Sequence, residues 1–190
     1  MSAAGDSGSR ALLFSGHMID GPGRATPRFP PALEPAARQA IEGELDRLAA
    51  GPADVAISSA ACGGDILFAE AALARGVKTR VYLPLDEPAF VEQSVAFAGD
   101  RWLDRYRAVI SRSERLVAPD VLGPLAAGED PFERVNRWML DEAQRLGGAR
   151  VALICLWNGE GGDGPGGTKH MMDVVQAEHG DAVWIDIRRL

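Results

Sequence analysis

Hydrophobic residues recur along the chain in short runs of β-forming residues, and segments with helical periodicity separate each run from the next. This alternation is typical of βαβ units, which build a mostly parallel sheet flanked by helices. The run VALICLW is apolar throughout, which indicates a strand buried on both faces. We therefore predict a three-layer Rossmann-like α/β fold. Its six strands are predicted at residues 11–15, 54–58, 78–83, 115–118, 151–157 and 182–187.

Helical periodicity fills the segments between these strands. Residues 34–50 carry apolar side chains at helical spacing, and Gly51-Pro52 ends the pattern. A second helix, over residues 65–75, is predicted to begin at Asp65 and to end before Gly76. The other helices are predicted within 91–110, over 131–146 and over 168–178.

Two connections, residues 16–33 and 119–130, are unusually long for a compact domain. Long irregular loops are usually functional or disordered. Both follow predicted strands at the edge of the sheet where ligands of open α/β folds bind. We interpret residues 16–33, which include Arg24 and Arg28, as a candidate lid.

The chain has 190 residues, of which 46% are hydrophobic, and this size favours one core. We predict a single domain at 11–190 after a disordered lead-in at 1–10 that is rich in Ser, Gly and Ala. No apolar stretch approaches the roughly 20 residues that span a bilayer, and the lead-in lacks the apolar region of a secretory signal. We therefore expect a cytoplasmic protein with no membrane partner.

Charge and cysteine content narrow the range of partners. With 27 acidic and 20 basic residues the net charge is −7, the wrong sign for many contacts with duplex DNA, so we expect no duplex nucleic acid partner. A small anion can still bind to local backbone dipoles. The two cysteines and three histidines lack paired ligand spacing, and we predict neither a metal site nor a cofactor.

A turn made of small residues follows the second predicted strand and leads into a helix. Small residues let a ligand approach the backbone, and amides near Cys62, Gly63 and Gly64 can point at a phosphate or at a polar part of a ribose. The alternative is a tight turn with Asp65 as N-cap and no ligand. The binding residues predicted in this turn are Ser59, Cys62, Gly63, Gly64 and Asp65.

Glu70 lies near the apolar stripe of the helix that follows this turn, in register with Ile66 and Leu73. An unpaired carboxylate there would be costly. Glu70 therefore either pairs with a buried cation or with backbone amides, or reaches the cleft to bind ribose hydroxyls or to transfer a proton. A plain solvent-facing glutamate is the third possibility. We regard Glu70 as a candidate ligand-binding and catalytic residue.

A second glycine-rich loop follows the strand at 151–157, with six glycines in residues 159–167. Such density suggests turns with positive φ or close approach to a ligand. Thr168 is predicted to cap the next helix, where its hydroxyl and the following amides can hold a phosphate. The alternative is a mobile surface loop. The binding residues predicted here are Asn158, Gly164, Gly166, Gly167 and Thr168.

Ser15, Gly16 and His17 end the first strand at the same predicted edge. The imidazole can stack on a ligand, donate to it, or close the loop. We include all three residues in the predicted ligand site.

Together these loops resemble the SLOG superfamily of Rossmann-like domains, which groups the DNA-processing protein A type with the cytokinin-activating LOG type. The first branch carries a pattern like SGGAxGxD, and this chain has SSAACGGD at 58–65, followed by Glu70. The LOG type carries PGGxGT with a catalytic Glu three residues later. This chain has GPGGT at 164–168 and Met171 at that position.

The resemblance implies a nucleotide-like small-molecule ligand, a role in bacterial signalling or defence, and a possible homodimer. Because Met171 replaces the LOG-type carboxylate, a binding or sensing module is the first hypothesis. A nucleotide N-glycosidase or glycosyl transferase that uses Glu70 or Glu160 is the second. The third is a protein-interaction domain with a decayed pocket and exposed Trp102 and Trp138.

Overall fold

A computed structural model of the chain describes residues 9–147, 150–161 and 167–190. Its strands match the predicted runs to within one or two residues at each end. The six strands are β1 (Ala11–Gly16), β2 (Val55–Ser58), β3 (Lys78–Leu83), β4 (Glu114–Val117), β5 (Val151–Trp157) and β6 (Asp181–Asp186).

The strands form one sheet in the order β4-β3-β2-β1-β5-β6, and every neighbouring pair is parallel. The chain leaves β1 in one direction through β2, β3 and β4, and then returns to place β5 on the other side of β1. The strand order therefore reverses between β1 and β5. In open α/β sheets, ligands bind at such a reversal, outside the carboxyl ends of the strands. The predicted Rossmann-like α/β class is confirmed.

Seven helices within the described residues connect the strands. Two of them, α3 and α4, correspond to the segment 91–110, where the sequence predicts one or two helices, although α3 begins before it. The helices are α1 (Glu34–Arg47), α2 (Gly64–Ala74), α3 (Glu87–Ser94), α4 (Asp100–Ile110), α5 (Ala118–Leu122), α6 (Pro131–Gly147) and α7 (Thr168–Ala177).

Alternate side chains of the strands enter two separate cores, as the period of two in a strand requires. Leu12 and Phe14 of β1 face a core built with α1, α2 and α4. Leu13 of β1 and Leu153 of β5 face the opposite core, built with α6 and α7. Since β5 is buried at all seven positions, it needs apolar residues on both faces, which explains the VALICLW run.

Local capping signals explain where the structure departs from the predicted helices. The Asp86 carboxylate accepts a hydrogen bond from the Ala89 amide at 2.9 Å, so α3 begins four residues before the predicted 91. Gly99 has a φ of +93° and separates α3 and a short 3-10 turn from α4. Residues 118–122 form the short helix α5 inside the connection that the sequence predicts as irregular.

Candidate functional site

The carboxyl ends of β1 and β5 are joined side by side at the strand reversal. The His17 amide donates to the Leu156 carbonyl at 2.9 Å. The His17 Nε2 atom lies 3.0 Å from Asn158 Oδ1 and 3.3 Å from the Asn158 amide nitrogen, so either ring tautomer has a hydrogen-bond partner on the residue that follows β5. Burial lowers the pKa of His17, and the nearby Arg28 and Arg24 lower it further. His17 therefore joins the two loops as a neutral ring at pH 7.

A cavity of about 200 Å³ opens beside this junction. It lies where the carboxyl ends of β1 and β2 meet the first residues of α2 and α7. Five polar residues and a carboxylic acid, from five different segments of the chain, line its walls. These six are Ser15, Ser59, Asp65, Ser94, Asn136 and Thr168.

The cavity wall also includes residues of α3 and α6 that were not predicted from the sequence. Phe90 and Ser94 come from α3, and Phe132, Asn136 and Met139 come from α6. A signal was present in the sequence, because Asn136 lies four residues after Phe132 and four before the buried Leu140. A polar residue on an apolar helical stripe marks a position that does not simply fill a core.

Two hydroxyls meet across this cavity. Ser15 Oγ of β1 and Thr168 Oγ1 of α7 lie 2.9 Å apart and share a hydrogen bond. Thr168 was predicted to cap α7, and this prediction is wrong: the N-cap residue is Gly167, and no side chain caps the helix. Thr168 is the first residue of α7, and its hydroxyl points to β1 instead of to its own helix.

Asp65 supplies the carboxyl group of the cavity. It too was predicted as an N-cap, but the N-cap of α2 is Gly63 and no side chain caps that helix. The Asp65 carboxyl group instead accepts hydrogen bonds from the amides of Ser59 and Ala61 in the turn after β2. Burial raises the pKa of Asp65 to about 7, and the two amides counter only part of that rise. A carboxyl group that titrates near neutral pH and lines a cavity is typical of functional sites.

The sequence predicted that the glycine-containing turn after β2 binds an anion. In the structure, amides of this turn form hydrogen bonds to other parts of the chain. The Cys62 amide donates to the Ser94 carbonyl at 2.9 Å, and the Gly64 amide donates to the His17 carbonyl at 3.1 Å. Both amides are therefore unavailable to an anion, which corrects that part of the prediction. A Cβ atom on Gly64 would lie 2.9 Å from the Phe14 ring. Cys62, Gly63 and Gly64 lie behind the cavity and are not among its lining residues.

Glu70 belongs to an ion-pair network between helices. Its carboxylate accepts hydrogen bonds from Arg38 of α1 at 2.6 Å and from Arg105 of α4 at 2.7 and 2.8 Å. Arg105 also donates to Glu34 at 2.8 Å. Burial alone would raise the pKa of Glu70, but the hydrogen bonds from Arg105 and Arg38 outweigh it and leave the pKa lowered. Of the roles considered for Glu70, the geometry provides the pairing with a cation.

The second glycine loop is only partly described. Gly164 and Gly166 lie outside the described residues, as do Asp163 and Pro165, so their predicted contacts have no structural counterpart here. Asn158 precedes that stretch, and Gly167 follows it at the start of α7. Met171, at the position of the LOG-type glutamate, is fully buried in the core beneath α7.

Residues 19–31, within the segment predicted as a lid, line a second cavity of about 500 Å³ together with the start of α4. Asp20 organises this loop, because its Oδ2 atom accepts hydrogen bonds from the amides of Arg28 and Phe29, both at 2.9 Å. Arg24 lines the cavity and pairs with Asp20 Oδ1 at 3.3 Å.

Trp102, predicted to be exposed, is buried in the cavity wall with the Arg105 guanidinium 4.0 Å from its ring centroid. Trp138 packs edge-on against Tyr82.

Within residues 9–147, 150–161 and 167–190, no three His, Cys, Asp or Glu side chains are grouped so as to hold a metal ion. In the same ranges, no helix has the length and apolar character that crossing a bilayer requires.

Comparison with known proteins gives distant structural similarity alone. No family model matches the chain, and no curated protein matches it in sequence. DNA processing protein A from Streptococcus pneumoniae is 16% identical, with a TM-score of 0.38 over 93% of this chain and 59% of that one. DNA processing protein A from Helicobacter pylori is 18% identical, with a TM-score of 0.30 over 95% of this chain and 77% of that one.

These likenesses concern the Rossmann-like architecture, and this chain spans about 59% of the length of the Streptococcus protein. The Helicobacter protein is described for its single-stranded DNA binding mode. The expectation of no duplex nucleic acid partner, which rested on the net charge, is corrected. The physical reason is that net charge is screened beyond about 10 Å, so it does not decide what a local surface binds.

Proposed function

We propose that this chain is a SLOG-type binding module for a nucleotide or a nucleotide-derived small molecule. One observation carries the proposal: Ser15, Ser59, Asp65 and Thr168, which come from three separate parts of the sequence, line one cavity beside the strand reversal. A cavity at that position, with apolar walls and a few convergent polar groups, has the features of a ligand site.

The size of the cavity limits how the ligand binds. Ligand pockets usually measure roughly 300–1,000 Å³, so a cavity of about 200 Å³ accepts only a part of a nucleotide. The remainder extends beyond the cavity, and we place it next to Thr168, a lining residue at the start of α7. The helix dipole there favours a negatively charged group by about 0.3–1 kcal/mol.

The environments of two residues, Glu70 and Met171, favour a binding function over N-glycosidic cleavage. Glu70 is held by Arg38 and Arg105 and is not among the lining residues of the cavity. Met171 is buried in the core, so α7 presents no carboxylate at the position that LOG-type enzymes use. We accordingly propose a sensor, with a role in bacterial signalling or defence.

A thermal-shift screen with ADP-ribose, cyclic dinucleotides and mononucleotides tests the proposal. A compound at 100 times its Kd stabilises the fold by about 2.7 kcal/mol, which raises the Tm by about 5–10 °C in a chain of this size. Ser15→Ala and Thr168→Val should each weaken binding several-fold, because each removes about 1 kcal/mol of hydrogen bonding.

The matched control is Ser111→Ala, since the Ser111 hydroxyl bonds to the Ala108 carbonyl on the surface. It should leave the affinity unchanged. If no compound in the panel raises the Tm, the proposed function is wrong.

A further inference from the structure

The polar lining of the cavity lacks a positive charge among the described residues. Ser15, Ser59, Ser94, Asn136 and Thr168 are neutral at every pH of interest, and Asp65 is the one titratable side chain of the described lining. A phosphate inside this cavity would lie beside a carboxyl group, and no cation of the described lining would neutralise either of them. Like charges at short range in a buried site repel by several kcal/mol.

The Asp65 carboxyl group is fixed in orientation. It is buried, and the amides of Ser59 and Ala61 donate to it from the turn after β2. A carboxylate has about four acceptor positions, so two amides leave unused acceptor capacity on a residue that lines the cavity. A ligand that supplies a donor there compensates for the cost of burying the charge.

Four described residues near Asp65 carry no positive charge that would compensate for burial of its carboxylate. Ser15 and Thr168 are bonded to each other at 2.9 Å. Cys62, on the same turn, has its pKa raised to about 12 by burial and by the charge of Asp65, so its thiol stays protonated. His17, whose carbonyl bonds to the Gly64 amide, has a lowered pKa and is neutral at pH 7.

We propose that Asp65 accepts a hydrogen bond from an uncharged donor of the ligand, either a sugar hydroxyl or a base amino group, and that the phosphate stays outside the cavity. The inference rests on the proposed function and names the part of the ligand that enters. Asp65 is thus the residue that selects for a nucleoside moiety.

Calorimetric titrations test this inference with four nucleosides, their 5′-monophosphates and inorganic phosphate. For any nucleoside that binds, Asp65→Asn should lower the affinity at least tenfold, and it should lower the affinity of the matching monophosphate by the same factor. Asp104→Asn is the matched control, because Asp104 is an exposed residue of α4 that pairs with Arg107. It should change neither affinity.

Two further arms identify the donor. If 2′-deoxyadenosine is insensitive to Asp65→Asn while adenosine is sensitive, the donor is the sugar hydroxyl. If inosine is insensitive while adenosine is sensitive, the donor is the base amino group. Both results support the inference.

A measurement on the unmodified protein covers the case in which Asp65→Asn does not fold. A donor to Asp65 favours the ionised carboxylate, so binding of a nucleoside at pH 7 should release protons, measured in two buffers of different ionisation enthalpy. Proton uptake, or an affinity for monophosphates that rises in Asp65→Asn, would place the phosphate in the cavity and overturn the inference. Absence of binding by every compound would instead contradict the proposed function.

Discussion

The backbone conformation of Gly63 determines how closely two loops of the site cross. Its φ is +107°, a value that side-chain-bearing residues rarely adopt. Met18 forms an antiparallel bridge with Gly63, and the Ile19 amide donates to the Cys62 carbonyl at 3.0 Å. A Cβ atom on Gly63 would lie 2.9 Å from the His17 carbonyl oxygen. The glycine is therefore required by chain crossing, whether or not a ligand is bound.

Gly63→Ala should destabilise the fold by more than about 2 kcal/mol, because the alanine is strained by its φ and collides with backbone atoms. Urea unfolding measures the change. Gly43→Ala is the matched control: Gly43 lies inside α1 with no atom within 4 Å of an added Cβ, so alanine should stabilise by about 0.5–1 kcal/mol. If Gly63→Ala were as stable as the unmodified protein, the claim that the close approach of the two loops requires glycine at position 63 would be wrong.

Asp65 makes the stability of the fold depend on pH. Its pKa is about 7 in the folded protein and about 3.9 in the unfolded chain, so the folded state binds more protons between these values. Stability should therefore fall as the pH rises from 4 to 7 and change little above 7. Between pH 5 and pH 7, linkage gives a loss of about 2 kcal/mol. Denaturant unfolding at several pH values measures it.

Asp65→Asn should abolish most of this slope, since an amide does not titrate, and should raise the stability at pH 8 relative to the unmodified protein. Asp104→Asn, the exposed control, should keep the slope. If the pH dependence of stability is unchanged in Asp65→Asn, a titratable group other than Asp65 causes it.

At the scale of helices and strands, periodicity predicted most of the fold. The strand β5 and the helix α1 followed from apolar spacing, because packing on the sheet determines both. The helix boundaries near Asp86 and Gly99 were missed, since one hydrogen bond and one positive φ outweigh a weak apolar pattern there. The partners of Glu70 were not predictable either, because Arg105 lies 35 residues away and only the packing of α4 on α2 brings it near.

The ion pairs of Glu70 connect the helices of one layer. Glu70→Gln removes one of the two carboxylates that pair with Arg105, whose side chain is 14% exposed, and should destabilise the fold by about 1–3 kcal/mol at pH 7. Because the folded pKa of Glu70 is lowered, its contribution is present above the unfolded value of about 4.3 and is lost as the pH falls through the folded value. The difference between variant and unmodified protein should therefore shrink in acid.

Glu42→Gln provides the control for this layer, because Glu42 lies 3.8 Å from Arg38 on the surface of α1. An exposed pair of this kind contributes about 0–1 kcal/mol. If Glu70→Gln left stability unchanged but abolished release of free base from nucleoside monophosphates, Glu70 would be a catalytic residue. The conclusion that Glu70 stabilises the packing of the helices would then be wrong.

At the scale of the whole molecule, the site depends on a topology that local patterns do not encode. The turns after β1 and β2 were correctly expected at one edge, since parallel strands end together. The sequence did not indicate that α6 would cross above this edge and add Phe132 and Asn136 to the cavity. Nor did it indicate that the amides of Cys62 and Gly64 would be used within the chain. Long-range packing decides both.

Hydrogen–deuterium exchange tests this convergence directly. The panel compound that gives the largest thermal shift should slow exchange at residues 14–18, 58–65 and 168–171 together, because these segments surround one cavity. A stabilisation of about 1.4 kcal/mol corresponds to a tenfold slower exchange by local opening. The opposite edge of the sheet has its own cavity, at Arg10, Asp54 and Arg150, where exchange should not change. Protection confined to that edge would show that the ligand binds at the amino ends of the strands and not at the strand reversal.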